Sequence, residues 1–209
     1  IAQELGMELQ IMPMDFGACQ AAVAAGTVDM SISGFSWTEE RAENYNLSDY
    51  YYAGENENEQ VLITLASNGD KFATAESLAG AKIGAQNASL QQSLVEAQLP
   101  DSVLVPFTDI GTAVLQLKSG DFDCIVVAGG NADAIIANNP DIIKSGFSFY
   151  VDPKETGNVI LLQKGADALT DVVNQILAES EQYWGAWYDH AQGISGIDQS
   201  YDDEGNAIS

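Results

Sequence analysis

The apolar positions of this chain fall into short blocks separated by stretches of helical spacing. Blocks rich in β-branched and aliphatic residues predict strands at Glu8–Met12, Asp29–Ser33, Gln60–Thr64, Lys82–Ala85, Ser102–Val105, Cys124–Val127, Phe147–Val151 and Val159–Gln163. Between most of them the period changes to a helical one. Ser89 is placed to cap a helix that runs to Glu96, and Asp109–Ser119 is another. Leu169, Val172, Val173, Ile176 and Leu177 recur at i, i+3, i+4, i+7 and i+8, which marks one face of a long helix. Strands alternating with helices imply an α/β fold with mostly parallel sheets.

One pattern occurs twice. DFGACQAAVAAGTVDMSISG (residues 15–34) aligns without a gap with DIGTAVLQLKSGDFDCIVVA (residues 109–128). Asp15 matches Asp109, Gly17 matches Gly111, Gly26 matches Gly120 and Asp29 matches Asp123. In each copy an apolar helix ends at a glycine, where a positive φ costs little. Two residues later an aspartate opens a β-rich run. MSIS and CIVV then read as buried strands of parallel sheets. A duplicated unit implies two similar α/β lobes. ENENEQVLITLASNGD and KETGNVILLQKGAD read as the connections between them. Residues 1–64 and 159–209 then form lobe 1, and residues 65–158 form lobe 2. Two crossings make a hinge that closes the cleft on a small molecule. Ligands of open α/β sheets bind beyond the carboxyl ends of the strands. That points to Ser33–Trp37 after MSIS and to Ala128–Asn131 after CIVV.

Composition narrows the partners. There are 31 acidic residues against 7 basic ones, a net charge of -24, so the surface repels nucleic acid and anionic lipid. The 209 residues, 46% of them apolar, suffice for a substantial core. No apolar run reaches the roughly 18 residues that span a membrane, and no signal-peptide pattern is present. The opening IAQELGMELQ reads as the last turns of a helix running into a strand, so a further segment is expected upstream. Cys19 and Cys124 each lie in an apolar segment and read as buried free thiols. A metal site or a Ser-His-Asp triad would rest on His190 alone, the single histidine; it reads as a helix-surface or packing residue. No cofactor is implied.

The chemistry concentrates after the first repeat's strand, in Ser33-Gly34-Phe35-Ser36-Trp37-Thr38-Glu39-Glu40-Arg41. Thr38 is a good N-cap for a short helix reaching about Glu43, whose N-terminus faces the cleft. Arg41 is the chain's one arginine. A guanidinium forks onto a carboxylate through two parallel hydrogen bonds, which lysine cannot do. The plainer alternative pairs Arg41 with Glu40 or Asp49 on the surface. Trp37 reaches the cleft or covers lobe 1. Trp184 and Trp187 lie in a C-terminal helix that packs on lobe 1.

DMSISGFSWTEERAENYNLSDYYY resembles the D-x-x-x-x-G-x-x-x-T-x-x-R…F-S-x-x-Y segment of the amino-acid-binding family of bacterial ABC importers. ELGMELQIMPMDFGACQAAVAAGTVD is similar to that family's helix, strand and helix, and LAGAKIGAQNASLQQSL to its Q-x-G-[ST]-x-Q turn in the second lobe. The resemblance runs from Ile1 to about Gly193. It implies a two-lobed α/β fold of the periplasmic-binding-protein type II class, with each sheet mixed and mostly parallel and with hinge closure; this class is itself a standing example of that motion. It implies that Arg41 binds a ligand's α-carboxylate, helped by the backbone N–H and hydroxyl of Ser36. Gly34 would offer its carbonyl to the α-ammonium. Ser89 and Leu90 would present N–H groups, and Phe16 would pack against the ligand or in the core. The implied protein is an extracytoplasmic binding component, periplasmic or a cell-surface lipoprotein, acting as a monomer with membrane permease subunits.

Three departures bear on this. The family's acid that neutralises the ligand ammonium falls at Ala128, so either Asn131 or Asp133 replaces it or the ligand is not an ordinary α-amino acid. An unpaired buried ammonium costs several kcal/mol. Ala88 stands where the family has glycine. The family's first strand precedes Ile1, so lobe 1 is expected to lack it. Two other readings use the same scaffold. A ligand-sensing domain of a membrane receptor would have the same pocket. A dehydratase-type enzyme would need an acid or base from Asp15, Asp133 or Glu39.

Overall fold

The computed structural model describes residues 1–51, 59–194, 200–201 and 207–208. In chain order the main strands are β1 (Met30–Ser36), β2 (Tyr45–Leu47), β3 (Gln60–Leu65), β4 (Lys82–Gln86), β5 (Val103–Phe107), β6 (Cys124–Ala128), β7 (Ile142–Ser148) and β8 (Asn158–Gln163). The helices are α1 (Phe16–Ala24), α2 (Glu39–Asn44), α3 (Leu90–Gln98), α4 (Ile110–Ser119), α5 (Gly129–Asn138), α6 (Asp167–Ser180) and α7 (Trp184–Ile194). The strands form a three-stranded sheet ordered β1-β8-β2 and a five-stranded sheet ordered β5-β4-β6-β3-β7. Each sheet is the centre of one lobe.

Both sheets are covered on two faces, which is why their inner strands read as unbroken apolar runs. In β8 the side chains alternate. Val159 and Leu161 join Phe35 and Val23 on the α1 face, while Ile160 and Leu162 meet Val173 and Leu177 of α6. The five-stranded sheet repeats the scheme. Leu62, Ile83, Cys124 and Val126 face one cluster, and Val61, Ile63, Ile125 and Val127 face the other. Burying each such aliphatic side chain contributes about 1.5–3 kcal/mol.

The repeat holds locally. Asp109 caps α4 by accepting from the Thr112 N–H at 2.7 Å, and Gly120 closes the helix at φ +84°. Asp15 occupies the corresponding position before α1 without a side-chain cap, and Gly26 follows that helix at φ +68°. Pairing direction differs from the expectation. β6 runs parallel to β4 but antiparallel to β3, and among the described residues β1 pairs antiparallel with β8 alone. β1 lies at the edge of its sheet, so Ile32 is 53% exposed, although MSIS reads as a buried strand.

Other expectations shift with strand partners. Glu8–Met12 forms no strand; Leu9 and Ile11 stand exposed, because an alternating segment without a neighbouring edge has no acceptors for its backbone. The strand expected at Phe147–Val151 lies earlier, at Ile142–Ser148, where it pairs with β3 from Leu65↔Ile142 to Val61↔Ser148. The division expected after residue 64 does not follow the sheets: β3 belongs to the five-stranded sheet, bonded to both β6 and β7. Residues 55–58 of the first connection lie outside the described residues. Both cysteines are free; Cys124 is buried, and desolvation pushes its thiol up to about 12, whereas Cys19 is only half-buried. Trp184 packs against the α6 face of lobe 1, but Trp187 is largely exposed, as is His190. Among the described residues no helix is long and apolar enough to cross a membrane.

Two substitutions probe this framework. A Cβ on Gly84 would lie 2.8 Å from Ile125 Cγ2 and 3.1 Å from the Phe122 ring. Gly84→Ala is expected to cost about 1–3 kcal/mol by overpacking, read as a lower urea midpoint. Asp109→Ala is expected to cost about 1 kcal/mol at neutral pH. The Thr112 hydrogen bonds hold the Asp109 carboxyl below its ordinary value. Its contribution is therefore present above about pH 4 and is lost as pH falls through the lowered value, so variant and wild type converge in acid.

Candidate functional site

Arg41 sits where the two lobes meet. Thr38 caps α2 by accepting from the Arg41 N–H at 3.2 Å, which starts the helix directly after β1 and turns Arg41 inward. The residue is 5% exposed. Nη1 donates to the Ser36 carbonyl at 2.7 Å, and Nη2 donates to the Ala88 carbonyl of lobe 2 at 2.9 Å. Nε donates to Gln20 Oε1 at 3.5 Å. The guanidinium carbon lies 5.8 Å from the Phe16 ring centre and 5.3 Å from that of Phe35; the two rings are 4.6 Å apart. Such faces favour a cation.

The plainer alternative, a surface pair with Glu40 or Asp49, is not formed: among the described residues Arg41 makes no ion pair. Burial lowers its pKa to about 10, against the raising influence of Glu40, Tyr45 and Glu155, so it keeps its charge at neutral pH. A buried cation held only by neutral acceptors is an incomplete electrostatic arrangement that an anion completes.

The facing wall comes from lobe 2. β4 ends at Gln86, and a turn through Asn87 and Ala88 leads into α3. Ala88 has φ +60° and is the one non-glycine residue with positive φ among those described. Side chains pay about 1–2 kcal/mol for that conformation, and the Ala88 N–H donates to Gln92 Oε1 at 2.9 Å. Gly17, in the first turn of α1, allows the close approach: a Cβ there would lie 3.1 Å from Asn87 Nδ2. Beside this contact a hollow of about 140 Å³ is lined from both lobes by Asp15, Phe16, Gly17, Gln86, Asn87 and Thr108. A larger hollow of about 740 Å³ lies away from it, at the edge of lobe 1, lined by Ile32, Ile160, Trp184 and Trp187 among others.

The structure therefore gathers Arg41, Ser36, Phe16 and the turn that begins α3. Ser89 sits there but is committed to the turn itself. Its N–H donates to the Gln86 carbonyl at 3.2 Å, its hydroxyl donates to the same carbonyl at 2.7 Å, and the hydroxyl accepts from the Gln92 N–H. Leu90 opens α3 with its side chain in the core. Gly34, at φ +64°, donates its N–H to the Tyr51 hydroxyl at 3.1 Å. Trp37 packs on the lobe 1 core, with Lys154 Nζ 5.6 Å from the centre of its ring. Asn131 is exposed on the first turn of α5. Asp133 is taken by Lys144 at 2.8 Å, which also meets Glu59. Sequence reasoning missed Gln20, which touches Arg41 and Ala88 at once. Among the described residues no group of His, Cys, Asp and Glu is arranged to hold a metal ion.

Residues 1–184 match the family described as bacterial extracellular solute-binding proteins, family 3. The chain is similar to a probable histidine-binding protein of Campylobacter jejuni, 30% identical over 181 residues that cover 82% of this chain and 68% of that protein. It is also similar to the arginine-binding extracellular protein ArtP of Bacillus subtilis, 26% identical over 184 residues, with coverage of 87% and 69%. Among solved structures, an amino acid ABC transporter substrate-binding protein from Streptococcus pneumoniae, bound to L-arginine, matches with a TM-score of 0.82 at 28% identity, covering 92% of this chain and 79% of that one. The two sheets, the cleft between them and the family match agree: this is the two-lobed α/β fold of type II periplasmic binding proteins, and the chain belongs to the bacterial extracellular solute-binding proteins of family 3.

Proposed function

We propose that this chain captures a free amino acid outside the cytoplasm and delivers it to the permease subunits of an ABC importer. The observation that carries the reading is Arg41: a buried cation between two lobes, faced by carbonyls and aromatic rings and by no carboxylate among the described residues. The ligand's α-carboxylate supplies the missing anion. Arg41 has five N–H donors and uses three of them in the bonds above. One N–H on each Nη suits the fork geometry of a carboxylate.

The remaining roles divide between the lobes. The N–H groups of Leu90 and Gln91 at the start of α3 have no helical acceptors of their own and face the carboxylate from lobe 2, the Gln92 N–H being taken by Ser89. Ser89 supports them as the cap, and Ser36 holds Arg41 through its carbonyl. Phe16 lies against the ligand and packs tilted against Phe35. The Gly34 carbonyl and the Asn131 side chain accept from the ammonium, since Asp133 is tied to Lys144. Trp37 closes the outer side. The protein works as a monomer, in the periplasm or as a cell-surface lipoprotein, its lobes divided at the two connections that flank β3 and β8. Histidine and arginine, named for two relatives, are the first ligands to test.

Titration calorimetry with L-arginine, L-histidine and a wider amino-acid panel tests this. At least one amino acid is expected to bind and to raise the unfolding temperature by mass action. The matching decarboxylated amine, agmatine or histamine, is expected not to bind. Arg41→Ala is expected to lose about 100-fold or more in affinity, roughly 3 kcal/mol, while still folding. Arg41→Lys should lose about tenfold, because a lysine cannot fork. Normal binding by Arg41→Ala would reject the assignment.

A further inference from the structure

We propose that Gln20 is the positioning residue of the carboxylate clamp: its side-chain amide fixes Arg41 against the turn at Ala88, so that both halves of the clamp meet the ligand in register. This rests on the reading of Arg41 as the carboxylate ligand. Gln20 lies one helical turn after Phe16, on the face of α1 that looks at Arg41. Its Nε2 donates to the Ala88 carbonyl at 3.0 Å, and its Oε1 accepts from Arg41 Nε at 3.5 Å. Arg41 Nη2 donates to the same Ala88 carbonyl at 2.9 Å. The three residues close a triangle across the cleft. The helix end of the triangle is itself held, because the Gln20 backbone carbonyl accepts from the Tyr45 hydroxyl at 3.1 Å.

The chemistry of the position is narrow. The group between a guanidinium and a carbonyl must accept on one side and donate on the other. A carboxamide does both and carries no charge. A glutamate would accept from Arg41, yet it could not donate to Ala88 when ionised, and it would place a second anion where the ligand's carboxylate binds. A leucine would fill the volume and do neither. Gripping Nε sets the rotation of the guanidinium plane, and that rotation decides where the free Nη hydrogens point. Gripping Ala88 sets how near lobe 2 comes. Gln20 therefore acts through Arg41 and through closure, without needing to touch the ligand.

The test uses the full chain, with L-arginine and L-histidine as probes in calorimetry, and small-angle scattering of the ligand-free protein. Gln20→Leu is expected to weaken binding about tenfold, the size of one bond to a charged group. It should enlarge the radius of gyration of the ligand-free chain and leave its unfolding temperature within about 2 °C. Gln20→Glu is expected to lose more affinity than Gln20→Leu, from the added anion. In an Arg41→Lys background, where no Nε remains to be held, Gln20→Leu should cost less than about threefold. A residue that only stabilised α1 would show the same loss in both backgrounds and a lowered unfolding temperature, and that result would overturn the proposal. So would wild-type affinity in both Gln20 variants. Should no amino acid of the wider panel bind the wild type, the ligand reading fails by itself, and scattering still decides the bridge: an unchanged radius in Gln20→Leu sinks it, and a larger one supports it. If Gln20→Leu folds poorly, Gln20→Met, also neutral and unable to bridge the two partners, carries the same comparison.

Discussion

A guanidinium taken out of water must find acceptors in its own plane, and the site is organised around that requirement. Arg41 keeps its charge inside a cleft where burial works against it, so the chain surrounds it with groups that attract a cation without neutralising it. Two backbone carbonyls, a carboxamide oxygen and two aromatic faces do this. A carboxylate within hydrogen-bond range would have bound more strongly and neutralised the charge. In a chain with 31 acidic residues, holding every described one of them out of ion-pair range of Arg41 is a structural achievement of β1, α1 and the turn at Ala88.

What was legible in the sequence was what short range decides. Thr38 as a cap places α2, and α2 places Arg41, all within a few residues of the end of β1. Asp109 and Gly120 likewise bracket α4 as read. The rest waited on partners far along the chain. A strand's direction depends on its neighbour, so MSIS turned out to be an antiparallel edge and Gln60–Leu65 to belong with the other sheet. Leu9 and Ile11 alternate as a strand would, but alternation cannot create the edge that a strand needs.

The site divides in the same way. Ser89 was recognisable as the residue that opens α3, but a cap hydroxyl and the amide beneath it are consumed by the turn they build. Gln20 left no signal at all. It stands in an alanine-rich helix, and its partner Ala88 is 68 residues away in sequence. Asp133 reads in sequence as an open carboxylate, but Lys144, eleven positions on, holds it. In each case local chemistry told what a side chain can do, while tertiary contact told what it is already doing.

The thiol that opens β6 has a consequence for life outside the cytoplasm. Compartments there favour disulfides, and exchange proceeds through the thiolate. Cys124 is fully buried in the middle of the five-stranded sheet, and its thiol is pushed up to about 12, so almost none of it is ionised near neutrality. It can react only when the sheet opens. Lobe 2 thus carries a redox-silent sulfur whose oxidation is gated by unfolding, and hinge motion that leaves the sheet intact is invisible to it.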